Sequence, residues 1–482
     1  MVFNRTEFSW CIPCCKHKKK IMDYSSTRGK DNNISFVEAM LNGLAKDGGL
    51  YVPKKIKKLT NSQLLNLSKF DYKKLAFEIT RLFIDTDVIN QKDFKKICEK
   101  TYSENFGEKI ISLDKLEENE FILNLYHGPT FAFKDFALQL LGNLYDYVLK
   151  KKKMNLTILG ATSGDTGSAA ISGCQKAENA KIFILFPYKK VSEIQRKQMT
   201  TIKSKNVFNI AVKGNFDDCQ KLVKDFFVMN SKSQKYNLAA INSINWVRIM
   251  GQIVYYFWSY FRVEKNLAPI NYVVPTGNFG NVYAGFFSKC MGLPIKKLVV
   301  SSNKNDILTR FFSSGEMKKK KVSQSFSPSM DIQVSSNFER LIFYYTKDSS
   351  YTGKLYKELD NNGKFKIYKN VYSKMLRDFC GGCISDAETK KTINHIFKKY
   401  DLIIDPHTAV GYAVGKKLLN DNEKRVYLAT AHYAKFIETV RDSIKKDLNY
   451  PKPLKSILKK KEKFLLIEND IKELERIISD LN

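Results

Sequence analysis

The chain has 482 residues, 43% hydrophobic and 27% charged, which supplies a sizeable core and excludes a disordered class. No stretch approaches about 18 apolar residues free of polar breaks, so no membrane span is expected. The net charge of +32 raises nucleic acid or anionic lipid as partners. The lysine runs, however, lie apart (Lys18 to Lys20, Lys54 to Lys58, Lys150 to Lys153, Lys318 to Lys321, Lys459 to Lys461), as solvated turns and helix ends do, and predict no specific nucleic-acid surface.

Residues 1–21 carry Cys11, Cys14 and Cys15 beside a basic CKHKKK stretch. They lack the apolar core of a signal peptide, and Val2 stands where N-myristoylation needs glycine. A disordered basic extension is the expectation. Nine cysteines without a secretory signal predict free thiols in a reducing compartment, the cytoplasm. A structural zinc site needs four ligands, and neither the first cluster nor the CGGC of Cys380 and Cys383 has a second half, so no metal is expected. Residues 35–48 (SFVEAMLNGLAKDG) repeat apolar residues at helical spacing up to Gly48-Gly49. Residues 60–100 read as two or three further amphipathic helices, with Thr60 as a start signal. Beyond residue 120, short apolar runs alternate with helical patterns across polar, glycine-containing turns, which predicts βαβ units and a parallel sheet.

That region opens with HGPTFAFKDFALQLLG, whose Lys134 is the only Lys or Arg between Leu116 and Leu149; the chain's average of roughly one in six would give about five or six. A lysine amine in apolar surroundings has a lowered pKa and becomes a usable nucleophile. Three strand-to-helix turns follow: NLTILG-ATSGDTG-SAAISGCQKA, NYVVP-TGNFGN-VYAGFFSKCMG and RVYLA-TAH-YAKFIETVRDS. Turns of this kind expose backbone N–H groups at a helix N-terminus, outside the carboxyl ends of the strands where ligands of open α/β sheets bind. Any parallel α/β protein has glycine turns, so one alone is weak evidence. Neither glycine turn has the P-loop or the dinucleotide spacing. Two phosphate cradles without a nucleotide signature point to a small phosphorylated ligand or cofactor. With Lys134 as the amine and a hydroxyl at a strand end, the parts suit pyridoxal phosphate: a Schiff-base partner, a phosphate cradle and a group for the pyridine nitrogen. The residues alone leave open which cradle takes the phosphate.

HGPTFAFKDFALQLLG, GATSGDTGSAAI, NSINWVRIMGQIVYYF, VPTGNFGNVYAGF, SPSMDIQVSSNFERL and DPHTAVG together resemble the threonine synthases, pyridoxal phosphate enzymes that act on O-phosphohomoserine. The resemblance starts near Met22 with DYSSTRG and SFVEAMLNGLAKDGGLYVP and runs almost to the C-terminus. It implies an α/β fold-type II enzyme with a helical N-terminal domain over 22–105. A catalytic region of two α/β subdomains with parallel-sheet cores would span 106–450, and a helical segment 451–482. It implies Lys134 as the lysine joined to the cofactor. Gly277, Asn278, Phe279, Gly280 and Asn281 would form the loop that binds the cofactor's phosphate through backbone amides, and the Thr430 hydroxyl would meet the pyridine nitrogen. Ser163, Gly164, Asp165 and Thr166 would face the substrate's carboxylate side and the cofactor ring. The reaction implied is γ-elimination of phosphate from O-phospho-L-homoserine and β-addition of water, the last step of threonine biosynthesis.

In that chemistry one amine handles several protons, and a neighbouring ammonium would disturb its proton affinity, so the scarcity of cations around Lys134 fits. The leaving phosphate needs its own anion site. Arg248, in an otherwise apolar helix preceded by Asn242, Ser243 and Asn245, is the candidate, since Arg grips phosphate bidentately. The partner is a small-molecule substrate, with the chain a monomer or homodimer. Some features depart from the family. Tyr433 follows His432 where the pattern has proline, CGGC replaces a short polar loop before ISDAE, and the basic extension and the Lys318 to Lys321 insert have no counterpart. The nearest rival is a phospho-lyase of the same fold that releases 2-oxobutanoate, ammonia and phosphate. A rival of another class is a basic nucleic-acid-binding protein with idle motifs, against which intact Lys134, GNFGN and Thr430 argue.

Overall fold

The computed structural model describes residues 23–103, 105–107 and 109–482, so the expectations for residues 1–21, including Cys11, Cys14 and Cys15, lie outside the described residues. Two sheets carry the catalytic region. The six-stranded sheet runs Phe379–Cys383, Ile295–Ser302, Ile270–Pro275, Arg425–Ala429, Glu120–Asn124, Ser112–Glu117 and is parallel except for its last pair. The five-stranded sheet runs Leu465–Ile467, Val207–Val212, Ala180–Pro187, Leu156–Ala161, Leu238–Ala240 and is parallel throughout. Its central strands read as continuous apolar runs because helices cover both faces; every residue of Ile270–Pro275 in the other sheet is likewise buried.

Two mutually packed helices position the residues of interest. Lys134–Lys152 crosses Asp165–Cys174 so closely that a Cβ on Gly142 would lie 1.9 Å from the Gly173 carbonyl oxygen. Only a pair of glycines permits backbone-to-backbone contact of this kind. The first residues of these two helices, Lys134 and Asp165, are thereby locked to one another.

The N-terminal region pairs a small antiparallel sheet (Asn32–Ile34, Tyr24–Ser26, Tyr51–Pro53) with helices Phe36–Asn42, Asn61–Leu67, Tyr72–Thr80 and Gln91–Thr101. Thr60 does open a helix, in a capping box with Gln63. The helix expected over 35–48 stops at Asn42, because Gly43 turns the chain at φ 68°. The region packs against Trp246–Val263, a helix apolar and buried nearly all round, in one continuous core.

Two further expectations are corrected. CGGC is not a loop: Phe379–Cys383 is an edge strand paired in parallel with Ile295–Ser302. It contains no β-branched residue, so nothing local signals a strand, and the neighbouring strand recruits it. The segment 451–482 is not purely helical. Between helices Lys452–Leu458 and Ile471–Leu481 the strand Leu465–Ile467 extends the five-stranded sheet. The Lys150 to Lys153 run does end a helix, where its charges face the dipole's negative end. In the Lys318 to Lys321 insert, Lys319 and Lys320 pair with Asp360 and Asp306. No helix among the described residues is long and apolar enough to cross a membrane. No group of three or more His, Cys, Asp or Glu among them is placed to hold a metal.

Candidate active site

The loop leaving strand Glu120–Asn124 reaches Lys134 through a turn that Asp135 fixes. Its carboxylate accepts from the Thr130 N–H and from the Thr130 hydroxyl, each at 2.8 Å. The Phe133 N–H donates to the Thr430 carbonyl at 2.9 Å, which brings the end of strand Arg425–Ala429 beside the lysine. The Lys134 side chain is 11% exposed and its ammonium donates to Asp165 at 3.2 Å. Burial lowers its pKa; Asp165 opposes that shift, while Lys435 and Arg248 add to it.

Asp165 is the hub of the cluster. Besides Lys134 it accepts from Lys435 at 2.6 Å, from the Gln195 amide at 2.8 Å and from the Ser329 hydroxyl at 3.2 Å. Burial alone would raise its pKa, but the two ammoniums and these donors hold it well below the usual carboxylate range. The isolation of Lys134 from other cations is therefore a property of the sequence and not of space: Lys435, fully buried, shares its carboxylate. Around Asp165 the turn is tied by Thr162, whose hydroxyl accepts from the Gly164 N–H at 3.0 Å and the Gly167 N–H at 2.9 Å. Ser163 is exposed and Thr166 half-buried.

The loop Gly277 to Asn281 follows strand Ile270–Pro275 and opens helix Gly280–Cys290. Phe279 sits at φ 61°, strain that burial of its ring against Phe338 sustains. No side chain caps this helix, so its first N–H groups stay available to an anion. Asn281 accepts from Tyr255 and Tyr256 through Oδ1, at 2.6 and 2.9 Å, leaving its buried Nδ2 without a partner. The loop is pinned from outside: the Gly277 carbonyl accepts from the Ser335 hydroxyl at 2.7 Å and that of Asn278 from the Asn337 amide at 2.9 Å. Residues 327–331 press on it so tightly that a Cβ on Gly277 would lie 2.4 Å from the Ser329 carbonyl oxygen. Ser329 is itself held by His407, which accepts from its N–H at 3.2 Å and is oriented by Asp405 at 2.7 Å.

Arg248 lies in helix Trp246–Val263, 3% exposed, with Nε and Nη1 unpartnered. Burial lowers it to about 10, so it stays cationic at neutral pH. Of the polar residues before it, Asn245 is fully buried and both its side-chain polar atoms already have protein partners. Its oxygen caps the helix at the Val247 N–H and its amide donates to the Met40 carbonyl. Asn242 accepts from the Ile244 N–H at 3.2 Å, and the Ser243 hydroxyl meets that of Ser336 at 3.2 Å, which donates to Asn278 at 3.5 Å. Sequence reasoning missed Thr162, Ser329, His407 and Lys435 as individuals, although each lies in or beside a stretch it singled out. Tyr433, in place of proline, begins a short 3-10 turn, Tyr433–Phe436, whose third residue is Lys435.

Comparison with known proteins gives three family matches in chain order: threonine synthase N terminus over residues 23–102, pyridoxal-phosphate dependent enzyme over 108–357, and threonine synthase, C-terminal, over 408–478. The chain is 41% identical over 461 residues to a threonine synthase of Pseudomonas aeruginosa, covering 95% of this chain and 98% of that one. It is 41% identical over 502 aligned positions to a threonine synthase of Saccharomyces cerevisiae, covering 93% and 97%. Among solved structures, pyridoxal phosphate-bound threonine synthase from Brucella melitensis superposes with a TM-score of 0.92 at 39% identity, covering 95% of this chain and 99% of the other.

Proposed function

This chain belongs to the threonine synthase family, and from that premise we propose that it converts O-phospho-L-homoserine and water to L-threonine and phosphate with pyridoxal phosphate as cofactor. The residues fit that group. Lys134 offers a buried amine of lowered proton affinity, the uncapped start of helix Gly280–Cys290 offers N–H groups to a phosphate, and Asn281 keeps a buried amide donor unpartnered beside them. Lys134 would hold the cofactor covalently, Gly277 to Asn281 its phosphate, and Thr430 its pyridine nitrogen. When bound, the cofactor supplies an electron sink for charge that develops at the substrate's Cα.

The protein's own groups do the rest. The Lys134 amine takes the Cα proton and serves the proton transfers at Cβ and Cγ. Asp165 keeps that nitrogen oriented. Ser163 to Thr166, at a helix N-terminus with Thr162 fixing the turn, receive the substrate's carboxylate side. Arg248 carries the proposal furthest: a guanidinium buried without a carboxylate partner is costly unless an anion joins it, and the substrate's phosphate is that anion. Asn242 and Ser243 stand at its approach, while Asn245 acts by shaping the helix start. The six free cysteines among the described residues support the cytoplasm as location, and we take the working unit to be a monomer or homodimer.

The test is product analysis. The purified protein given O-phospho-L-homoserine should form threonine and phosphate in equal amounts, and Lys134→Ala should lose both turnover and the borohydride-reducible cofactor adduct. Dominant 2-oxobutanoate and ammonia would establish the phospho-lyase instead.

A further inference from the structure

The cluster around Asp165 contains one more cation than the reaction described above uses. Lys435 is fully buried, with its ammonium 2.6 Å from Asp165 Oδ1, whereas Lys134 stands at 3.2 Å from Oδ2. Lys435 also donates to the Thr130 carbonyl at 2.9 Å, and Gln198 donates to that same oxygen at 3.1 Å. Since Thr130 is held by Asp135, Lys435 sits in a closed framework that begins one residue from Lys134. A buried lysine with these two fixed acceptors has little freedom to move away.

We propose that Lys435 is a positioning residue that sets the protonation of the Lys134 nitrogen by taking the larger share of the Asp165 carboxylate. Were Asp165 paired with Lys134 alone, its full charge would favour the protonated nitrogen, and the amine would be neither nucleophile nor base. A second ammonium on the same carboxylate offsets that attraction and repels a further positive charge. It also keeps Asp165 ionised and neutralised at moments when Lys134 carries no charge, so no step leaves a bare carboxylate in the interior. The charged and titratable groups facing Lys134 are Asp165 from helix Asp165–Cys174, Lys435 from the turn Tyr433–Phe436 and Arg248 from helix Trp246–Val263. Asp135, next in its own helix, turns to Thr130, and burial raises it to about 6. Two cations against one committed anion shift the balance toward the neutral nitrogen.

The inference rests on Lys134 carrying the cofactor, and the test separates the two. The visible absorbance of the full-length, cofactor-loaded protein is titrated with pH, which reads the proton on the Lys134 nitrogen without any turnover. Lys435→Met should move the midpoint upward by about one pH unit, a tenfold gain in proton affinity. Asp165→Asn should move it downward by a similar amount. Lys435→Arg, which keeps the charge, should stay near the wild-type midpoint. Opposite shifts are not produced by a merely structural role, which would weaken cofactor retention and leave the midpoint in place. An unshifted Lys435→Met sinks the inference while leaving Lys134 as the attachment point. If Lys435→Met does not fold, an Asp165→Asn midpoint at or above wild type sinks it equally. A reducible adduct that persists in Lys134→Ala would instead overturn the underlying assignment.

Discussion

Arg248 shows what a single residue contributes when function and stability conflict. Its guanidinium is buried beside the lysine cluster, and burial is the only cause pulling its pKa down, with no acid to offset it. The ligand-free protein thus bears the desolvation of an unpaired charge, which the substrate phosphate proposed for this site would relieve. Arg248→Met, similar in volume and uncharged, should raise KM for O-phospho-L-homoserine about ten- to hundred-fold, the loss of one charge-assisted contact of about 1.5–3 kcal/mol. The cofactor's absorbance should be unchanged. Thermal unfolding of the ligand-free variant should come no earlier than in wild type, because an unpaired buried charge has been removed. A wild-type KM would place the phosphate elsewhere, and a large fall in unfolding temperature would mean that Arg248 is structural.

At the level of elements, the site is assembled from strand–turn–helix units whose turns meet at the carboxyl ends of both sheets. Gly277 sits where one such turn meets residues 327–331, and Gly277→Ala would force a Cβ to within 2.4 Å of the Ser329 carbonyl. Ser329 also donates to Asp165, so the displaced segment would disturb the loop Gly277 to Asn281 and the lysine cluster together. Cofactor affinity should fall about five- to hundred-fold with the fold intact, a cost of the 1–3 kcal/mol that overpacking brings. Gly107→Ala, whose Cβ would meet nothing within 4 Å, is the control. If both variants retain cofactor equally, contact with Ser329 does not shape the cradle. The units themselves were legible because a strand, a glycine turn and a helix each leave a local signature. Phe379–Cys383 was not, since its pairing comes from Ile295–Ser302 and not from its own residues. Lys435 was not legible either: it is about 300 residues from Lys134, and tertiary pairing of Arg425–Ala429 with Glu120–Asn124, continued by the bridge between Ala132 and Ala431, brings them together. A gap in the lysine pattern along the chain says nothing about cations supplied from elsewhere. Asn245's role as a helix cap was not legible for a related reason, because a residue before a helix is as readily its cap as a ligand.

Across the whole molecule, the N-terminal region shares the catalytic region's core, and one buried carboxylate adds a polar tie between them. Glu339 accepts from the Thr27 hydroxyl at 2.6 Å and from Arg28 through two bonds at 3.0 and 2.9 Å. The next residue, Arg340, donates to the Tyr51 and Ile244 carbonyls and to Asn337. Asn337 in turn donates to the Asn278 carbonyl in the loop Gly277 to Asn281 and to the Ser243 carbonyl, five residues before Arg248. The STRG stretch is therefore joined through Glu339 and Asn337, two residues apart at the start of helix Phe338–Thr346, to the loop proposed to hold the cofactor's phosphate. Glu339→Gln should weaken the fork to Arg28, which is 24% exposed, at a cost of about 2 kcal/mol, within the range for hydrogen bonds to charged groups. Unfolding should begin a few degrees lower, proteolysis should cut first in the N-terminal region, and cofactor affinity should drop although Glu339 touches no cradle residue. Asp225→Asn, which breaks the exposed Lys221 pair, should change none of these. Should Glu339→Gln lower stability yet leave cofactor affinity at the wild-type value, the N-terminal region anchors the fold without reaching the site. Should both stay constant, the fork between Arg28 and Glu339 is an accessory contact, and Arg340 and the shared core join the two regions without it.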